Sequence, residues 1–143
     1  MLLKLKLLLV DDDTDFLEAL TDYLEGKNCI VYTATTHTEA LEIITRQKNK
    51  LLPIDVAIID YILPDSNGIL ISRDLKQIDP DLFTVALTEH DDRESITALI
   101  HEGVFTQVIS KFEPEETGID RMIAAALCTK RLRRREGIGK PSI

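Results

Sequence analysis

The stretch from Val56 to Gly68, VAIIDYILPDSNG, constrains the fold more than any other part of the chain. Four apolar residues, Val56, Ala57, Ile58 and Ile59, run into one acid, Asp60, and the run then breaks at Pro64-Asp65-Ser66-Asn67-Gly68. An uninterrupted apolar run this short reads as a strand buried on both faces, and the Pro, Asn and Gly after it read as a loop. Asp60 therefore ends a buried strand, the edge of a parallel α/β sheet at which ligands bind. Leu7-Leu8-Leu9-Val10 runs into Asp11-Asp12-Asp13 in the same way. Two buried strands thus bring at least three carboxylates to one edge, an arrangement that is costly unless a cation sits among them.

The rest of the chain alternates strand and helix five times. Leu5 to Val10 is the first strand, and Thr14 to Gly26 a helix with Phe16, Leu17, Leu20 and Leu24 on one face. Ile30 to Ala34 is a second strand. Thr36-His37-Thr38-Glu39 has the form of a capping box, with the Thr36 hydroxyl and the Glu39 carboxylate satisfying helix-start amides, and this second helix ends before Pro53. A third helix runs from about Asn67 to Ile78. Phe83 to Leu87 is strand four, followed by Thr88-Glu89-His90-Asp91-Asp92, whose acids suit the start of a helix carrying Ile96, Leu99 and Ile100 and stopping near Gly103. Gln107 to Ser110 is the fifth strand. The last helix is expected to start near Pro114, with Ile119, Met122, Ile123, Ala126 and Leu127 as its buried stripe. The pattern is a (βα)5 chain, hence one parallel sheet with helices on both faces.

Composition narrows the function classes. The 143 residues suit one domain, and no apolar run approaches a membrane span. The opening MLLKLKLLLV is interrupted by Lys4 and Lys6 and has no small-residue cleavage site, so it reads as a strand of a cytoplasmic protein. Net charge is −8, but Lys130 to Arg135 holds five basic residues in six, leaving residues 1–127 with 11 basic against 24 acidic groups, a net −13. An acidic body argues against direct nucleic-acid binding, and the basic run reads as a solvated helix end that complements the helix dipole. Gly137, Gly139 and Pro141 read as a tail or linker, so the expected division is a domain of residues 1–128 and a basic helix end and tail of 129–143. Cys29 and Cys128 lack metal-type spacing and read as reduced core residues; His37, His90 and His101 read as solvent-facing. Asp13 is expected to cap the first helix.

Four separated motifs in this order resemble the response-regulator receiver domain of two-component signalling over roughly residues 4 to 128. They are Val10-Asp11-Asp12 after strand one, Asp60-Tyr61-Ile62-Leu63-Pro64 with Gly68, Thr88 ending strand four, and Lys111 near the end of strand five. The resemblance implies a flavodoxin-like sheet of order 2-1-3-4-5. It implies that Asp60 accepts a phosphoryl group from a sensor histidine kinase or phosphotransfer protein, so that the chain is a signalling phospho-acceptor and not a turnover enzyme. It implies Mg²⁺ held by Asp11, Asp12, Asp60 and the backbone carbonyl of Ile62, with Thr88 and Lys111 answering the phosphoryl oxygens. A C-terminal output domain or a partner protein would receive the signal.

Three departures accompany the resemblance. The family has Lys-Pro at the end of strand five, whereas counting without gaps from Gly103 puts Ser110 in the lysine position and Lys111 in the proline position. The aromatic switch position falls on Gln107. Glu89 follows Thr88 where the family favours a small residue. These departures motivate an alternative, a receiver-like interaction module without phosphoryl switching. A third class, a haloacid-dehalogenase-type phosphatase, is suggested by Asp11-x-Asp13, but Asp15 stands where that family has Thr or Val. A displaced lysine normally points away from the site, and we expect a bulge, or an end to strand geometry before Ser110, to return the Lys111 ammonium to Asp60.

Overall fold

The structure is a computed structural model that describes residues 4–89 and 93–139. Five strands, β1 (Lys6–Val10), β2 (Ile30–Ala34), β3 (Val56–Asp60), β4 (Phe83–Thr88) and β5 (Gln107–Ser110), form one parallel sheet of order β2-β1-β3-β4-β5. The helices are α1 (Thr14–Gly26), α2 (His37–Asn49), α3 (Gly68–Ile78), α4 (Arg93–His101) and α5 (Ile119–Gly139). This is the expected flavodoxin-like architecture. Among the described residues no helix is long and apolar enough to cross a membrane.

Strand residues alternate between two cores, as the pleat requires. Leu8, Val10, Ala57, Ile59 and Ala86 pack under α2 and α3 with Ala40, Ile44, Ile71 and Leu75. Leu7, Leu9, Val56, Ile58, Val85, Leu87 and Ile109 pack under α1 and α5 with Leu17, Leu20, Leu24, Met122 and Ala126. Both faces of β1, β3 and β4 are covered, which explains their unbroken apolar runs.

Asp13 caps α1 as expected, its Oδ1 accepting from the Phe16 amide at 3.1 Å. Thr36 caps α2 through the Glu39 amide at 3.1 Å, but the Glu39 carboxylate accepts from the Thr35 and Thr36 hydroxyls, so only half of the expected capping box forms. The last helix begins at Ile119 and not near Pro114. Pro114 instead opens a turn, its carbonyl accepting from the Thr117 and Gly118 amides at 3.0 and 3.2 Å. The segment between Pro114 and Ile119 is a tight turn lying close to β5, where a Cβ on Gly118 would stand 2.8 Å from the Ile109 side chain. The helix continues through Gly139 where a tail beginning near Gly137 was expected; Pro141 lies outside the described residues. Cys29 is buried, but Cys128 is exposed, one position beyond the buried stripe. His101 is exposed, whereas His37 is half-buried and bonded on both ring nitrogens; His90 and the Ile96 side chain lie outside the described residues.

Candidate functional site

The carboxyl ends of β1, β3 and β4 and the residue after β5 surround a pocket of about 420 Å³ lined by Asp11, Asp12, Asp60, Ile62, Thr88, Glu89 and Lys111. Every residue singled out from the sequence for the site therefore reaches one cavity. The backbone ladder carries each strand one step past its end: the amides of Asp11, Tyr61 and Lys111 donate to the carbonyls of Ala34, Leu87 and Thr88 at 3.1, 2.9 and 2.8 Å. Strand geometry thus fixes the backbone from which the acids and the lysine project.

Carboxylate oxygens of Asp11, Asp12 and Asp60 all lie within 4.8 Å of one another. Asp11 is almost wholly buried, Asp12 exposed and Asp60 buried. Asp11 Oδ1 accepts from the Asp13 amide at 3.0 Å. Its buried Oδ2 is paired with the Lys111 ammonium, Nζ lying 2.7 Å away. Asp60 Oδ1 accepts from the Ile62 amide at 3.2 Å, and its Oδ2 lies 3.4 Å from Lys111 Nζ. Burial, and next the neighbouring Asp11 charge, push the Asp60 carboxyl up to about 6. The Ile62 amide and the Lys111 charge oppose that rise without cancelling it. Three carboxylates gathered this closely, two of them buried, are a hard-oxygen set that suits a small divalent cation.

Lys111 reaches the site without a bulge. The β4–β5 register is regular to its last pair, Thr88 with Ser110, which corrects the expectation that strand geometry must fail before Ser110. The reason lies in parity. Leu7 and Leu9 share a core with Val56, Ile58 and Ile109, so Asp11, Asp60 and Lys111, the next residues of that parity, fall on one side of the sheet. Ser110 turns to the other side, where its hydroxyl accepts from the Phe112 amide at 3.2 Å. The Lys111 side chain is only 6% exposed, and its ammonium lies 4.8 Å from the centre of the Phe16 ring. Burial would lower the lysine's proton affinity, but the hydrogen bonds and charges of Asp11 and Asp60 outweigh it and hold the ammonium above its ordinary range. Glu89, 52% exposed, stands 3.4 Å from Lys111 Nζ at the rim, so it extends the acidic cluster toward solvent.

Gly68 explains why the loop after Asp60 can close tightly. A Cβ there would lie 2.8 Å from the Asp60 carbonyl oxygen and 3.0 Å from the Tyr61 Cα, both backbone atoms that cannot yield. Its amide donates to the Tyr61 carbonyl at 3.0 Å, and Ile62 pairs with Asn67 in a single antiparallel bridge. Sequence reading missed two residues around the site, Phe16 beneath Lys111 and His37 beside Ser66. Phe16 was legible as an apolar helix residue, but nothing local marks it as a partner for a lysine almost a hundred positions away.

The sequence matches the response regulator receiver domain over residues 7–122. It is 29% identical over 100 residues to the transcriptional regulatory protein GlrR of Escherichia coli, covering 70% of this chain and 21% of that protein. It is likewise 29% identical over 114 residues to the response regulator SaeR of Staphylococcus aureus, covering 77% of this chain and 46% of that one. The chain thus spans less than half the length of these relatives. A response regulator receiver domain protein from Clostridium thermocellum superimposes with a TM-score of 0.80 at 30% identity, covering 90% of this chain and 98% of that one. With its parallel sheet of order 2-1-3-4-5 and an acidic pocket at the carboxyl edge, the chain belongs to the response regulator receiver domain family of two-component signalling.

Proposed function

We propose that the chain is a phosphoryl-accepting switch in which Asp60 is the acceptor. The observation that carries this reading is the placement of the Lys111 ammonium between Asp11 and Asp60, at 2.7 and 3.4 Å. An interaction module without phosphoryl chemistry has no need of a buried lysine held between two acids. The Asp60 carboxylate attacks phosphorus, the phosphorus–nitrogen bond of a donor phosphohistidine breaks, and an aspartyl phosphate forms. The donor is a sensor histidine kinase or phosphotransfer protein in the cytoplasm, and the chain acts as a phospho-acceptor, not as a turnover enzyme. Asp11, Asp12, Asp60 and the Ile62 carbonyl form the hard-oxygen set for Mg²⁺, which supplies charge neutralisation when bound.

The chain's own groups do the rest. Lys111 offers a cation already desolvated beside the acceptor, and Thr88 offers a hydroxyl from the neighbouring strand end. Residues 1–128 are the switching unit, and 129–143 a basic extension leading toward an output domain or partner. Intact-mass analysis after incubation with acetyl phosphate and Mg²⁺ tests the reading: one phosphoryl group is expected, and none without the metal. Absence of label at any Mg²⁺ concentration would leave only the fold.

A further inference from the structure

Loop 61–67 follows Asp60 and carries Ile62. Its internal bonds are the Ile62–Asn67 bridge, the Gly68 amide to the Tyr61 carbonyl at 3.0 Å, and the Leu63 amide to the Ser66 carbonyl at 3.2 Å. These set the shape of the loop but not its tilt against the sheet. Its near end is fixed to the sheet by the Tyr61 amide on the Leu87 carbonyl at 2.9 Å and by the Ile62 amide on Asp60 Oδ1 at 3.2 Å. Two further anchors hold its far end and so set the tilt. One is Leu63, buried in the core under α2 and α3. The other is the Ser66 hydroxyl, 3.1 Å from Nδ1 of His37 at the first position of α2. The second ring nitrogen, Nε2, lies 2.8 Å from Asp74 Oδ2 on α3.

This arrangement has a defined direction. An ionised Asp74 only accepts, so Nε2 carries a proton and the neutral ring leaves Nδ1 to accept from Ser66. A charged ring would instead donate to the Ser66 oxygen, so the tie persists in either state. One half-buried imidazole thereby pins the loop to two helices at once. Ser66 is one hydrogen bond from Leu63 and adjoins Asn67, the bridge partner of Ile62. Mg²⁺ demands ligands near ideal octahedral positions, so a small tilt of the loop moves a backbone carbonyl out of its coordination range.

We propose that His37 is a positioning residue: through Ser66 it sets where loop 61–67 presents the Ile62 carbonyl to a metal held by Asp11, Asp12 and Asp60. The inference rests on the Mg²⁺-dependent reading above. It gives the Ser66-His37-Asp74 constellation a role in metal affinity, where sequence reading had left His37 as a surface residue.

The test is a Mg²⁺ titration of the ¹⁵N-labelled full chain, followed at the Ile62 and Ser66 amides, together with hydrogen exchange of the metal-free protein. His37→Ala and Ser66→Ala should each weaken Mg²⁺ binding by up to about tenfold, the low end of the roughly 10–100-fold loss for groups that bond a metal ligand directly, because these act through the loop. The double variant should be no weaker than either single one, because both act along one path. His37→Gln, whose amide both donates and accepts, should recover much of the affinity. In metal-free protein the Ile62 and Ser66 amides of the alanine variants should exchange faster while those of β1 and β3 keep wild-type protection. Lower thermal stability with wild-type Mg²⁺ affinity and wild-type Ile62 exchange would make His37 a packing residue and overturn the proposal. A wild type that binds no Mg²⁺ removes both this inference and the functional reading, whereas one that binds Mg²⁺ but accepts no phosphoryl group removes only the latter.

Discussion

Two lysines sit among aspartates at opposite ends of the sheet, and their surroundings differ in kind. At the amino edge Lys130, on α5, bonds Asp55 Oδ2 at 2.9 Å and the Lys4 carbonyl at 2.7 Å, while the same Asp55 oxygen accepts from the Lys6 amide at 2.8 Å. Among the described residues one cation meets one acid there. At the carboxyl edge one ammonium, Lys111, faces Asp11, Asp60 and Glu89. Charge does not balance, and the Asp60 carboxyl is driven up to about 6. The first arrangement fastens a helix to the base of the sheet. The second is held short of its preferred state by strand geometry and gains by acquiring positive charge.

The largest contrast is chemical. Asp60→Asn should take up no phosphoryl group from acetyl phosphate and Asp12→Ala should lose Mg²⁺-dependent uptake, whereas Asp55→Asn should label like wild type, all read by intact mass. Equal labelling of wild type and Asp60→Asn would place the acceptor elsewhere.

Next in size is the response of metal-free protein to pH. The folded Asp60 carboxyl titrates near 6, above its ordinary 3.8, so the folded chain holds that proton more tightly than the unfolded chain. Its stabilising contribution is fully present below pH 3.8, and is lost as pH rises through 6. Relative to that acid limit the ionised group costs at most about 3 kcal/mol at pH 7.5, and Asp60→Asn should recover a large part of it. Urea unfolding in chelator from pH 5 to pH 8 measures this. A flat difference between wild type and Asp60→Asn would show that the charge is compensated after all.

Lys111→Ala should lower stability by about 3 kcal/mol at pH 7.5, because it leaves two buried acids facing each other, and the loss should shrink at lower pH as Asp60, freed of the lysine charge that holds its proton affinity down, takes up a proton. The same variant should lose the phosphorylation-induced change in the amide signals of β4 and β5. Unaltered signals would separate Lys111 from the switch.

The smallest effects belong to the other end. Lys130→Ala should cost about 1 kcal/mol, evenly between pH 5 and 8, with labelling unchanged. Deleting residues 129–143 should likewise preserve folding and labelling. Salt-sensitive DNA binding abolished by that deletion would instead give Lys130 to Arg135 a nucleic-acid role.

How far the sequence reached follows from the range of each interaction. Asp11 and Asp60 were legible because an apolar run ending in an acid is local, as was Asp13 as a cap of α1. The position of Lys111 was legible but its route was not. Counting along β5 alone made it one residue displaced, and only cross-strand pairing of β1, β3, β4 and β5 shows that it shares parity with both acids. The start of α5 was misplaced because Pro114 suits a first helical turn, whereas here it opens a tight turn lying close to β5. The exposure of Cys128 depends on the face that α5 buries, and the partners of His37 lie 29 and 37 positions away, beyond any local pattern.

Parity has one more effect. Lys111 continues the row of Ile109 in the core beneath α1 and α5, while Thr88 continues the row of Ala86 in the core beneath α2 and α3. The two side chains rise from paired neighbouring strands but are rooted in separate halves of the interior, with the sheet as a wall between them. A group grasped by both at the rim is a staple across that wall. A shift of such a group would be felt by both halves of the interior at once.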